Sequence, residues 1–273
     1  MPSLDHIILL VSHSTLTSLP QFLTKNFTVT PGGRHADNLT ENVLICFRDG
    51  VYIELIAFIP GQEGRETHWW GNKKEGGIID FAFTGESAEG NWEAVNGRLE
   101  GKEVGVRYEK PVKGGRIRGD GKEVRWFVTF PELKGTRYQR GVLPFFCHDD
   151  TERTLRVPSD KENVEHSCGA QGIRSLSIYV PEEMIDELRK VYSAVLGVDC
   201  DDGGGYVVNS LNGGMKTTIV LKTPAKGDAA LEKEMNERGG LFIGELIFWG
   251  KGGKELKIDG DRSLRLGLGD QFF

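Results

Sequence analysis

Each helical stretch in this chain is followed by several short strands joined by tight turns. That order argues against a parallel doubly wound sheet, which needs a helix after nearly every strand. The pattern runs three times at a period of very roughly 80 residues. In the first cycle an apolar run over 4–11 precedes a stretch in which Leu16, Leu19, Phe22 and Leu23 recur at helical spacing. Pro20 is tolerated only in a first turn, which predicts a helix beginning near Ser18. Strands are predicted over 27–30, 43–47 and 51–59, the last two joined by a tight turn at Arg48, Asp49 and Gly50. The second cycle predicts a strand over 78–83, a helix over 88–99 with Trp92, Val95 and Leu99 on one face, and strands over 104–108, 124–130 and 142–147. Glycine-rich 114–121 reads as a flexible hairpin tip.

In the third cycle a strand over 173–180 leads to the strongest helical stripe in the chain, Met184, Ile185, Leu188, Val191, Tyr192, Val195 and Leu196. Strands follow over 206–209 and 217–222, with further β-rich segments over 241–249, 256–258 and 264–266. The predicted fold class is α+β, a mixed curved sheet built from repeated βαβββ modules. Two such modules pair over 1–150, a polar linker covers 151–171, and a third βαβββ-like module covers 172–273.

Composition narrows the function. A 273-residue chain with 38% hydrophobic residues can bury a core without staples, and a net charge of -6 with mixed signs argues against nucleic acid as a partner. The four cysteines are widely spaced with no Cys-x-x-Cys pair, so reduced cytoplasmic thiols are expected in place of a structural zinc site or a disulfide framework. The N-terminus lacks the basic region of a signal peptide, and no stretch approaches the roughly 20 apolar residues that span a bilayer. A soluble protein without a membrane partner is expected. No Walker loop or dinucleotide fingerprint is present.

One carboxylate stands out. Glu54 interrupts an otherwise apolar run from Val51 to Phe58, where a charge is costly unless paired, protonated or bound to a metal.

Five segments in order, Leu4-Asp5-His6-Ile7, Gly32-Gly33-Arg34-His35, Gly50-Val51-Tyr52-Ile53-Glu54-Leu55-Ile56-Ala57, Leu143-Pro144-Phe145-Phe146-Cys147-His148-Asp149 and the stretch from His166 to Ile173, resemble the glyoxalase-like domain group of the vicinal-oxygen-chelate (glyoxalase, bleomycin resistance and dihydroxybiphenyl dioxygenase) superfamily. The resemblance covers most of the chain. It implies paired modules curling into a cup, with a divalent metal (Zn, Ni, Mn or Fe) held by His6 on the first strand and Glu54 on the last. His148 is the expected third ligand, and Glu54 the expected catalytic carboxylate. Arg34, His35, Trp70, Phe81, Phe145 and Phe146 are the expected substrate contacts.

The second module offers Asp80 where a ligand is sought and lacks a matching Glu, so the full metal quartet is not visible. The implied activity is metal-assisted isomerase, lyase or dioxygenase chemistry on a small carbonyl- or hydroxyl-bearing molecule. The alternative is a metal-free small-molecule binding or resistance protein. A monomer or homodimer is expected. A thiol nucleophile at Cys147 lacks a visible activating group, and His166 reads as a loop-stabilising residue.

Overall fold

The computed structural model describes residues 1–250 except 213, together with the backbone strand at Glu255–Lys257. The first module comprises β1 (Ser3–Leu10), the short helices α1 (His13–Thr17) and α2 (Gln21–Asn26), β2 (Thr30–Arg34), β3 (Thr40–Cys46) and β4 (Tyr52–Phe58). The second comprises β5 (Gly77–Thr84), α3 (Ala88–Gly101), β6 (Arg107–Tyr108), β7 (Val112–Ile117), β8 (Glu123–Thr129), β9 (Pro131–Glu132) and β10 (Phe145–Asp149). Two helical turns, α4 (Arg153–Arg156) and α5 (Lys161–Val164), lead to the third module. It contains β11 (Gly172–Tyr179), α6 (Ile185–Leu196), β12 (Gly205–Asn209), β13 (Lys216–Lys222), α7 (Ala229–Glu237), β14 (Phe242–Trp249) and β15 (Glu255–Lys257).

The first strands of the two leading modules pair antiparallel, with His6 opposite Ala82. This joins β2-β3-β4-β1 to β5-β10-β8-β7 as one mixed, curved sheet. At its far edges His35 and Arg116 form an antiparallel bridge, and the Ala36 N–H donates to the Gly115 carbonyl at 3.1 Å. The eight strands thereby close into a cup. The third module extends the same sheet through Ser3 opposite Asn209 and Ile78 opposite Ile243.

Strand alternation divides the side chains between two cores. Outward from the cup, Ile7, Leu9, Ile53, Leu55, Phe81, Phe83 and Phe146 join the core shared with the third module. That core includes the predicted stripe of α6, whose Leu188, Val191, Tyr192, Val195 and Leu196 are buried and which ends at Gly197 in the left-handed conformation, φ 68°. Arg98 on α3 donates to the Ala194 and Val195 carbonyls at 2.5 and 3.1 Å, capping the end of α6.

Some boundaries differ from expectation. Pro20 precedes α2 as its cap while a separate helical turn, α1, occupies His13–Thr17, because Ser12 accepts from the Thr15 N–H and starts its own helix. The strand expected over 27–30 begins instead at Thr30. The Asp49-Gly50 turn forms as expected, with Gly50 at φ 87°. The strand expected over 264–266 lies outside the described residues, as does Ile258 of the strand expected over 256–258. Among the described residues no helix is long and apolar enough to cross a membrane.

Candidate functional site

The inner face of the cup encloses about 190 Å³. Alternate residues of each strand reach it: His6 from β1, Asn42 and Leu44 from β3, Tyr52 and Glu54 from β4, and Phe145 and Cys147 from β10. Trp70 comes from the connector before β5, and Trp126, Val128 and Phe130 come from β8 and its end. The two halves differ in chemistry. The first module contributes polar groups, and the second contributes mostly aromatic and apolar ones.

Glu54 is buried at the centre of the polar half. One of its oxygens, Oε1, accepts from the Asn42 amide at 2.6 Å and lies 3.5 Å from His35 Nε2. The other, Oε2, lies 3.6 Å from His6 Nε2. Neither imidazole contact is short enough for a good hydrogen bond.

Both rings are held from behind. His6 Nδ1 is 2.7 Å from Asp5 Oδ2, and His35 Nδ1 is 2.7 Å from the Thr40 hydroxyl. An imidazole that spends Nδ1 on an orienting partner presents Nε2 to the cavity, the usual posture of a metal-ligating histidine. Burial pushes the His35 pKa down, which favours the neutral ring, and its Nε2 lies 3.4 Å from the Asn42 amide nitrogen.

Glycine makes room for Asn42. A Cβ at Gly32 would lie 1.9 Å from Asn42 Oδ1, the atom that accepts from the Gly33 N–H at 3.0 Å. The Gly32-Gly33-Arg34-His35 segment thus orients the amide that holds Glu54 and delivers His35 beside it.

Behind His6 sits a buried ionic quartet. Arg153 and Arg156 bind both Asp5 and Asp149, at 2.6 to 3.0 Å. Burial alone would raise the Asp5 carboxyl, but the two guanidinium groups hold it well below the usual carboxylate range. Arg156 also donates to the Tyr52 hydroxyl at 2.8 Å.

The ligand atoms of Asp5, His6 and Cys147 fall within 4.8 Å of one another. This trio is a poor metal site, because the Asp5 charge is matched by two arginines and burial pushes the Cys147 thiol up, keeping it protonated. The trio of His6, His35 and Glu54 is the more usual donor set, with two imidazoles and one carboxylate at the cavity wall. That donor set fits a divalent ion of the zinc, nickel, manganese or iron type.

Several expected contacts are corrected by strand register. Phe81 and Phe146 point to the outer core, away from the cavity, since their neighbours Ala82 and Phe145 occupy the inner face. His148 follows Phe146 to the outer side, stacks on its ring at 6.3 Å, and lines no part of the cup. It cannot join His6 and Glu54. Arg34 is exposed at the end of β2 and is not part of the cavity wall.

Trp70 and Phe145 do line the cavity, their ring centroids 6.0 Å apart. Asp80 accepts from the Trp70 indole at 2.9 Å and does not line the cavity. His166 spans a loop, accepting from the Thr28 N–H at 3.1 Å and contacting the Cys46 carbonyl at 3.0 Å.

Asn42, Tyr52, Arg116, Trp126 and Arg156 were not singled out by sequence reasoning. The first two carry a period-2 signal, since Asn42 alternates with Leu44 and Tyr52 with Glu54. Arg116 and Arg156 lie in segments without periodicity.

This architecture, two βαβββ modules joined through their first strands around a cup, is the fold that the glyoxalase-like resemblance implied. Residues 4–196 match the glyoxalase-like domain family, and the chain belongs to it. None of the curated proteins compared matches it in sequence. Among solved structures it is similar to a hypothetical protein from Staphylococcus aureus, at 15% identity over 81% of this chain and 87% of that one, with a TM-score of 0.57. Weaker likenesses are to a fusion of a xylose isomerase-like TIM barrel with 4-hydroxyphenylpyruvate dioxygenase (12% identity, 90% of this chain, 36% of that one, TM-score 0.48) and to a variant of 4-hydroxymandelate synthase from Streptomyces coelicolor (12%, 91%, 71%, 0.47).

Proposed function

We propose that His6, His35 and Glu54 hold a divalent metal ion on the polar wall of the cup, and that the protein acts there on a small carbonyl- or hydroxyl-bearing molecule. The observation that carries this reading is the pair of anchored imidazoles whose Nε2 atoms face opposite oxygens of one buried carboxylate. A divalent ion bound there supplies Lewis-acid polarisation of a substrate oxygen and stabilises the negative charge that develops on it.

The chain's own groups do the rest. Asp5 and Thr40 fix the two ring orientations, and Asn42 holds one oxygen of Glu54. The remaining oxygen, Oε2, is the one Glu54 offers to the metal. Trp70, Phe130 and Phe145 exclude water and bury an apolar part of the ligand. Three protein ligands leave positions open for substrate, compatible with isomerase, lyase or dioxygenase chemistry.

A second reading follows from the other wall. The second module presents Phe145 and Cys147 where the first presents its polar groups, which suits a cup that binds a small molecule without turnover.

Elemental analysis of untagged protein separates the two. About one equivalent of metal, retained by His148→Ala but lost in His6→Ala, His35→Ala and Glu54→Gln, supports the metal centre. Protein that stays metal-free after incubation with zinc, nickel, manganese and ferrous ions leaves the binding cup.

A further inference from the structure

Arg116 is among the most enclosed cations of the molecule, with only 5% of its surface exposed. It lines the same cavity, across from Glu54. One of its terminal nitrogens, Nη2, donates to the Arg156 carbonyl over a long 3.4 Å. The other, Nη1, has no hydrogen-bond partner among the described residues. Burying a guanidinium is expensive unless a counter-charge meets it, and an unsatisfied donor on that group adds to the cost. The arrangement is one of a cation waiting for an anion.

The neighbouring charges do not fill that role. Arg156 is matched by Asp5 and Asp149 in the quartet behind His6, so those carboxylates are committed. Glu54 acts on Arg116 through space, with no hydrogen bond or ion pair between them, while it accepts from Asn42 and faces the two imidazoles. Asp37 and Lys113 are exposed at the rim, where water screens them. Arg116 lines the cavity with its Nη1 enclosed beside Gly33 and unpaired, so an anion in the cavity is the partner left to it.

Beside that edge the wall turns aromatic. Phe130 and Phe145 lie tilted on each other at 5.0 Å, and Trp126 lies edge-on to His35 at 6.1 Å. A planar guanidinium with a free donor favours a planar carboxylate, while a doubly charged phosphate would set its second charge against Glu54.

We propose that Arg116 is the anion-recognition residue of this cavity and that the ligand is an aromatic carboxylate, its ring against Trp126, Phe130 and Phe145 and its carboxylate on the Arg116 guanidinium. The proposal deepens the reading of the cup as a small-molecule site and rests on it, but it does not require that a metal be bound.

The test is calorimetric titration of the full-length protein after dialysis against a chelator, using 3-phenylpropanoate and its neutral amide as probes. The carboxylate binds at least tenfold more tightly than the amide to the wild type. Arg116→Gln erases that preference, and Arg116→Lys retains part of it. Equal binding of the two probes, binding of neither, a preference that survives Arg116→Gln, or tighter binding of phenyl phosphate would each overturn the proposal. Metal uptake by the same preparations separates it from the metal centre: carboxylate preference without metal uptake sinks the metal centre alone, and metal uptake without the preference sinks Arg116 alone.

Discussion

The imidazole of His6 lies flat against the phenol ring of Tyr52, their centroids 4.6 Å apart and their planes inclined by 14°. The two are cross-strand neighbours on β1 and β4, and the Tyr52 hydroxyl is in turn held by Arg156. Tyr52 therefore supports the His6 ring from one side while Asp5 holds it from another. Tyr52→Phe keeps the stack and loses one hydrogen bond, and we expect a loss of about 1 kcal/mol in urea unfolding. Tyr52→Ala removes the support as well and should cost about 3–5 kcal/mol. Equal destabilisation by the two substitutions would show that the stack contributes nothing.

Asp5 serves both the fold and the site. Asp5→Asn leaves Arg153 and Arg156 short of a buried counter-charge, so the expected loss is about 3–5 kcal/mol. The same change weakens the hold on His6 Nδ1 and should lower metal affinity by about 10- to 100-fold. Denaturation and metal titration of one preparation measure both. An Asp5→Asn protein within 1 kcal/mol of wild type would remove the quartet from any account of stability.

His148 makes a useful contrast, because both of its ring nitrogens are buried without a hydrogen-bond partner among the described residues. Burial also depresses its pKa, so it is neutral at physiological pH. Replacing a buried, unsatisfied polar ring with an apolar side chain relieves a penalty of about 1–3 kcal/mol. His148→Leu is expected to be at least as stable as wild type in thermal unfolding and to match wild type in metal uptake. A marked loss of either would show that the ring has a role the outer core hides.

Asp49 should leave a signature in pH. Its carboxylate accepts from the Val51 and Ile173 N–H groups, each at 2.9 Å, yet burial lifts its pKa to about 7 from 3.8. Between those values the folded chain keeps a proton that the unfolded chain releases, so this group's contribution to stability falls as pH rises from about 4 to about 7. The full swing is up to about 4 kcal/mol. His35, His68, His148 and His166, all depressed by burial, act in the opposite sense, losing stability as pH falls below the unfolded histidine value. The difference between wild type and Asp49→Asn isolates the aspartate: the wild type loses stability relative to the variant on going from pH 5 to 7.5. A constant difference across that range would place the Asp49 pKa near its unfolded value.

Much of this was legible in the sequence for a definite reason. The repeated order of one helix and several strands follows from periodicities that a single sequence displays, as does the α6 stripe. Glu54 was conspicuous because a carboxylate in an apolar strand demands an explanation, and His6 entered through the family resemblance. What failed was the choice of face. Phe145 and Phe146 are equally hydrophobic, and only the pairing of β10 with β5 and β8 puts the first inside the cup and the second outside. That same register removed His148 from the site. Arg156 was hidden in a polar stretch whose two helical turns, α4 and α5, are too short to show a period.

The bridge between His35 and Arg116 gives the closing edge of the cup a second meaning. The residue proposed to help grip an ion and the residue proposed to read a ligand's charge sit opposite each other at one joint between the two leading modules, tied by main-chain bonds that are indifferent to side-chain identity. Chemistry on the two sides can therefore drift separately, one half retuning its ion and the other its ligand, while the joint keeps both aimed at the same small volume.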